Sequence, residues 1–311
     1  MAEVAFVFPG QGSQYVGMGQ DVCESYPPAR AVFDEADSLL GFPLSRLCFS
    51  GPEEDLNDTV NTQPAVFVAS LALWRVLEPR LPGPARFFAG HSLGEYAALV
   101  ASDAVEFSSA LSLVRERGRL MQEAGEQSRG GMAAVLGLDG LEVEEICRRA
   151  EEATGGMVQV ANFNCPGQTV ISGSEEALAQ AISSAEAAGA ARVVKLAVSI
   201  AAHSPLMLPA EAAFRTQVEA ASFRQPRTPI VGNVSAEPLL SSDRIVSELV
   251  GQLTAPVRWS ESVQFMVNRG VETVVEVGPG KVLTGLMKRI DRRVKRVSVG
   301  DQAAIESFVG A

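Results

Sequence analysis

The stretch "FFAGHSLGEYAALV", residues 87–100, constrains this chain more than any other. Phe87–Ala89 reads as the end of a buried strand and Tyr96–Val100 opens a segment with helical spacing. Gly90-His91-Ser92-Leu93-Gly94 therefore sits at a strand-to-helix joint, the setting that G-x-S-x-G requires. A turn that sharp strains the backbone at the serine, and glycines two residues either side let strand and helix crowd together. The pentapeptide alone fits either a nucleophile elbow or a glycine-rich loop, so the rest of the chain must decide.

Composition narrows the field. The 311 residues are 47% hydrophobic, enough to bury a core of one large or two smaller domains. A formal net charge of −11 argues against nucleic-acid binding, which needs a basic surface to displace counterions. The opening "MAEVAFVFPGQG" lacks a basic segment and an apolar run long enough for a signal peptide, and no run approaches the ~18 residues of a membrane span. The expectation is a cytoplasmic protein without membrane or nucleic-acid partners. Cys23, Cys48, Cys147 and Cys165 are widely spaced without a C-x-x-C pair, which suggests neither a zinc site nor disulfides.

The order of elements is α/β. A strand at Val4–Phe8 runs into "PGQGSQ", helices are expected at Val22–Leu40 and Gln63–Leu77, and a further helix spans about 108–127. "SRGG", residues 128–131, breaks the pattern. Next come Met132–Leu136 (strand), Leu141–Ala153 (helix), Met157–Asn162 and Thr169–Ser172 (strands), Glu175–Ala188 (helix) and Arg192–Ala197 (strand), a βαββαβ ferredoxin-like order. The large-domain rhythm then resumes with a helix near Met207–Ala220, the strand "PIVGN", a helix around Arg244–Leu253, the strand Val271–Val277, "GPGK", another helix and the strand Val294–Val299. The expected organisation is a discontinuous catalytic domain, residues 1–128 and 198–311, with an inserted domain at 129–197.

A serine nucleophile needs a base, and the chain has only two histidines, His91 and His203. Across an elbow the side chain of His91 is expected to point away from Ser92. His203 follows the last strand of the insert, where a cleft between domains is expected, and is the better base. No carboxylate stands out as a third member, so a backbone carbonyl is the candidate to orient the ring. One oxyanion donor would be the N–H of Leu93, and "GQGSQ" offers that of Gln11 as the other. Tyr15 stands where a dinucleotide fingerprint needs glycine, and "GPGK" lacks P-loop spacing. In the helix near 108–127, Arg117 falls inside the apolar stripe formed by Ala110, Leu113, Val114, Leu120, Met121 and Ala124. An inward guanidinium needs an anion, either a structural glutamate or a substrate carboxylate.

These segments together resemble the malonyl-CoA:acyl carrier protein transacylases. The resemblance rests on "FPGQGSQYVGMG", "TQPA", "GHSLGEYAAL", "RGRLMQ", "ANFNCPGQTVISG", the His203 segment, "LVGQLTAPVRW" and "VEVGPGKVLTGL". It implies an α/β-hydrolase-like large domain with a ferredoxin-like insertion, and a ping-pong transfer of malonyl from coenzyme A through Ser92 to the phosphopantetheine thiol of a carrier protein. By the same carry-over Arg117 holds the malonate carboxylate, Gln11 and Leu93 form the oxyanion hole, and Gln252 orients His203 through its main-chain carbonyl. Gln63, Met121 and Asn162 line the pocket. Coenzyme A enters as a thioester substrate, no cofactor stays bound, and the chain is expected to act as a monomer.

Related polyketide acyltransferases often read His-Ala-Phe-His or Tyr-Ala-Ser-His before the base. Here Ile200-Ala201-Ala202-His203 fits neither, and Ala202 leaves space for a branched extender. A methylmalonyl-using polyketide enzyme is thus an alternative, although a chain that opens at Met1 suits a free-standing fatty-acid enzyme. A serine thioesterase would have no use for Arg117, and a non-catalytic scaffold would not keep Ser92 with His203. Residues 288–296 carry Lys288, Arg289, Arg292, Arg293, Lys295 and Arg296 against Asp291 alone. This block is either a solvated helix end or a docking site for an acidic carrier protein.

Overall fold

The computed structural model describes residues 3–198 and 200–310. The first two residues and the last, which belong to the expected catalytic domain, lie outside the described residues. Among the described residues ten strands form two sheets: β1 Val4–Phe8, β2 Phe87–Gly90, β3 Gly130–Leu136, β4 Val158–Cys165, β5 Gln168–Ser174, β6 Arg192–Lys195, β7 Ile230–Val231, β8 Pro238–Leu239, β9 Thr273–Val277 and β10 Lys295–Val299. The chain has the mixed α/β fold expected of it.

The larger sheet runs β10-β9-β1-β2-β7-β8, parallel throughout except for the β7–β8 pair. Its central strands are apolar on both faces, as a sheet covered by helices on both sides must be. Alternation then divides the residues. Phe6, Phe8 and Phe88 meet Trp74 on one face, with ring centroids 5.2–6.0 Å apart and edge-on to the indole. Ala5, Val7, Phe87 and Ala89 face Trp259, Val263 and Leu283 on the other. Because β1 and β2 are parallel neighbours, with Phe8 opposite Gly90, the loops that leave them emerge side by side at one edge.

The smaller sheet, β4-β5-β3-β6, is antiparallel and falls between residues 130 and 195. It has its own core of Val135, Val143, Ile146, Ile171 and Leu178 beneath the helices Gly140–Thr154 and Glu175–Ala187. A short parallel bridge ties it to the larger unit, Phe163 N–H donating to the Val257 carbonyl at 2.9 Å and Val257 N–H to that of Ala161 at 2.8 Å.

Two helices differ instructively from expectation. The segment expected as one helix over Val22–Leu40 is split into Gln20–Ser25 and Pro27–Leu40, with Tyr26 extended between them. Proline removes a donor and pushes its predecessor out of helical geometry, so Pro27 starts a helix rather than continuing one. The helix expected from Gln63 begins at Thr59 and carries Pro64 inside it. Pro64 cannot donate to the carbonyl of Val60, and that carbonyl instead accepts from Arg115 Nη1 at 2.9 Å. Gly118 lets the helix Phe107–Gln127 close on this one, since a Cβ there would meet Val60 Cα at 3.3 Å. That approach brings Arg117 against Gln63.

Candidate active site

Ser92 stands at φ 51°, the left-handed region, which costs a non-glycine residue on the order of 1–3 kcal/mol. Crowding makes the turn unavoidable. A Cβ on Gly94 would lie 2.1 Å from the Phe8 carbonyl oxygen, one on Gly90 1.9 Å from the Gly94 carbonyl carbon, and one on Gly10 2.4 Å from the His91 carbonyl oxygen. The helix Gly94–Ala101 is thus pressed onto the ends of β1 and β2, with Ser92 projecting at its start.

His203 Nε2 lies 2.8 Å from Ser92 Oγ, and His203 Nδ1 lies 2.7 Å from the Gln252 carbonyl oxygen. A carbonyl only accepts, so Nδ1 carries the proton and Nε2 is left to accept the serine hydroxyl. Burial, then the nearby Arg117 cation, pushes His203 down to about 3, which keeps the ring neutral in the resting site with Nε2 free to accept a proton. His91 turns elsewhere: Nε2 meets Asn164 Oδ1 at 2.8 Å and the ring packs edge-on to Trp259, although its edge still borders the cavity.

Arg117 is 1% exposed, yet among the described residues no carboxylate lies within ion-pair distance of it. Its guanidinium donates to three neutral oxygens: Gln63 Oε1 at 2.8 Å, Gln252 Oε1 at 2.9 Å and Ser92 Oγ at 3.0 Å. Of the two expectations for Arg117, the partner glutamate is therefore not the one found. Neither the Gln11 nor the Leu93 backbone N–H has a protein acceptor among the described residues. Both residues border a cavity of about 130 Å³ with Ser92, Arg117 and His203, walled by Met121, Met132, Leu196, Val198, Ile200, Ala202 and Asn162. Gln63 stands behind Arg117 and donates to Met121 Sδ at 3.5 Å.

A cavity of about 450 Å³ lies beside Val4, Phe6 and Phe308 at the far end of β1. Its charged groups are Glu3 and Arg86, paired at 3.6 Å, and it holds no nucleophile.

Four further polar residues hold the site and were not singled out from sequence. Asn233 follows β7; its Oδ1 accepts the Ser92 N–H at 2.6 Å and its Nδ2 donates to the Gly90 carbonyl at 2.7 Å. Glu95, fully buried, accepts from the Asn233 N–H at 3.1 Å and from Gln252 Nε2. Burial and the neighbouring Glu248 push its carboxyl up, opposed by the bonds it accepts. Glu248 accepts the Val234 and Ser235 N–H groups. Gln159 of β4 donates to the carbonyls of His203 at 2.7 Å and Thr254 at 2.9 Å. The one visible signal was Glu95, an acid opening the otherwise apolar "GEYAALV".

The basic block is spread by the fold. The turn before the helix Val282–Ile290 lies at the Ser92 edge, but the helix carries Lys288 and Arg289 away from it. Lys295 pairs level with Thr273 and Val4, at the opposite strand ends. Arg289 bonds the Pro166 carbonyl at 2.9 Å, Arg293 pairs with Asp291 at 2.6 Å, and Arg296 caps the Val294 carbonyl at 2.7 Å. Lys288 and Arg292 lie in the same segment.

Comparison with known proteins adds the following. The acyl transferase domain family matches residues 5–305. A malonyl CoA-acyl carrier protein transacylase of Bacillus subtilis is 43% identical over 306 residues, covering 98% of this chain and 96% of its own. One from Escherichia coli K12 is 46% identical over 290 residues, covering 93% of each. A malonyl transacylase solved in complex with a type II polyketide acyl carrier protein superposes with a TM-score of 0.96 at 42% identity, covering 99% of both chains. An acyl carrier protein S-malonyltransferase from Vibrio cholerae gives a TM-score of 0.95 at 42% identity, covering 99% of this chain and all of its own.

Proposed function

Since the chain belongs to the acyl transferase family, among its malonyl-CoA:acyl carrier protein transacylases, we propose how its own residues carry that reaction. The enzyme transfers malonyl from coenzyme A to the thiol of a carrier protein. Ser92 Oγ attacks the thioester carbonyl while His203 Nε2 takes its proton, and the Gln252 carbonyl holds the imidazolium by its other nitrogen. The tetrahedral oxyanion sits between the N–H groups of Leu93 and Gln11. Collapse expels the coenzyme A thiolate, which recovers the proton from His203, and the carrier's thiol then reverses the steps. Arg117 exchanges its bond to Ser92 for the malonate carboxylate while Gln63 and Gln252 keep it in place.

The observation that carries this reading is a fully buried cation beside the nucleophile with only neutral partners. A hydrolase of neutral esters has no use for it, whereas a substrate carboxylate completes it. The decisive experiment compares malonyl-CoA with acetyl-CoA in Arg117→Ala. Malonyl transfer is expected to fall by the equivalent of about 2–5 kcal/mol while acetyl transfer holds or rises. Equal losses for both would make Arg117 structural.

The same proposal has the enzyme working as a monomer in the cytoplasm with no resident cofactor, and Ala202 leaving room for some methylmalonyl. The block from Lys288 to Arg296 steers the acidic carrier protein, with Arg289 beside the β4–β5 turn as the cation nearest the small sheet.

A further inference from the structure

Gln252 serves four partners at once. Its main-chain carbonyl accepts from His203 at 2.7 Å, its Oε1 accepts from Arg117 at 2.9 Å, and its Nε2 donates to the Ser92 carbonyl at 3.1 Å and to Glu95. The two ends of a side-chain amide are alike in shape and opposite in hydrogen-bonding sense. Turned over, this amide would set an N–H₂ group against the guanidinium, and both would be donors. Something must therefore fix which end faces Arg117.

Glu95 is placed to do so. Its Oε1 is taken by the Asn233 N–H and its Oε2 receives from Gln252 Nε2; while the carboxyl is ionised it has no proton to give there. It is 0% exposed and makes no ion pair among the described residues. A buried carboxylate without a cation is costly, so an apolar helix start would not keep one for packing alone.

We propose that Glu95 is a positioning residue for substrate choice: by admitting only the Nε2 end of Gln252, it presents Oε1 to Arg117 and so sets the preference for malonyl over acetyl thioesters. Glu95 touches no substrate and acts through Gln252 and Arg117. The proposal rests on the reading of Arg117 as the malonate clamp.

Glu95→Gln keeps the shape and breaks the logic. With its oxygen held by the Asn233 N–H, the new amide would turn a donor toward Gln252 Nε2, and one of the two must rotate. Malonyl-CoA kcat/KM is expected to fall at least ~10-fold, mainly through KM, the scale of a hydrogen bond to a charged group, with acetyl-CoA changed by no more than ~3-fold. In Glu95→Gln/Gln252→Glu the pair between positions 95 and 252 matches again, but the new carboxylate loses the bond to the Ser92 carbonyl, so Tm recovers only in part. The new carboxylate then occupies Arg117, so malonyl KM stays high. Arg117→Ala is measured alongside. If Arg117→Ala lowers the malonyl-to-acetyl ratio but Glu95→Gln lowers both substrates equally or neither, the role of Glu95 falls and the clamp stands. If Arg117→Ala itself leaves the ratio unchanged, both fall. Should Glu95→Gln not fold, a double variant with the wild-type ratio overturns the proposal equally.

Discussion

Ser92 and His203 share an unusual backbone, φ 51° and φ 58°, but the fold imposes it by different means. At Ser92 the cause is local. Gly10, Gly90 and Gly94 leave no room for a Cβ, and the helix begins against the sheet because those three positions are bare. At His203 the cause is distant. Its carbonyl is held by Gln159 from the smaller sheet, and its ring by Gln252, 49 residues further along the chain. The proposed nucleophile is thus built into one turn, whereas the proposed base depends on two units of the molecule meeting correctly.

The comparison breaks first at the reacting atoms. Ser92→Ala is expected to abolish the mass increment that malonyl-CoA leaves on the protein. A stable, transferable adduct on the alanine variant would place the nucleophile elsewhere. His203→Ala should slow both half-reactions by at least ~10²-fold, as loss of a general base does, while His91→Ala, anchored to Asn164 and Trp259, should cost far less. A reversed order of the two histidines would sink the assignment of the base.

Gly94→Ala probes the local turn. The added methyl meets the Phe8 carbonyl, so β1 must shift, costing on the order of 1–3 kcal/mol or more and carrying Ser92 out of line. Gly251→Ala, where the methyl meets nothing within 4 Å, is the control. Similar Tm and activity for both variants would show that crowding does not set the elbow.

Gln159→Leu probes the distant hold. Loss of one donor to two carbonyls should slow acylation by about tenfold and leave the malonyl-to-acetyl ratio unchanged. Its pH profile is the sharper readout. His203 is pushed down to about 3 in the folded protein, so the unfolded chain takes up the proton first; this residue's effect on stability turns unfavourable as pH falls below about 6.5. Wild-type kcat/KM should accordingly show no acid limb near 6.5. In Gln159→Leu a loosened, wetter loop should bring that limb up toward neutral pH, and an unchanged profile would mean that Gln159 does not hold the base. The smallest effect concerns docking. Reversing charge at Arg292 and Arg293 should raise the carrier-protein KM a few-fold and flatten its salt dependence with acylation intact.

Much of the site was legible because its chemistry is rare in sequence: one serine between glycines at a strand–helix joint, two histidines, one arginine in an apolar stripe. The layer behind was not. Asn233 and Gln159 are ordinary amides whose meaning comes from pairing across 141 and 44 residues. Glu95 resembled the acid that commonly favours a helix N-terminus. Elsewhere hydrophobic spacing alone carries one helix through Pro27-Pro28, a pair that instead announces a helix start. How the basic block is spread was not legible either, since a charge run gives no hint of which end of a strand it occupies.

The cavity beside Ser92 has a consequence for timing. Its roughly 130 Å³ has room for several water molecules. On the proposed reading, a malonyl group held by Arg117 would take up that room and leave little space from which a hydrolytic attack could start. The loaded protein would then be in effect a held charge of acyl group, its discharge waiting on a thiol long enough to reach Ser92.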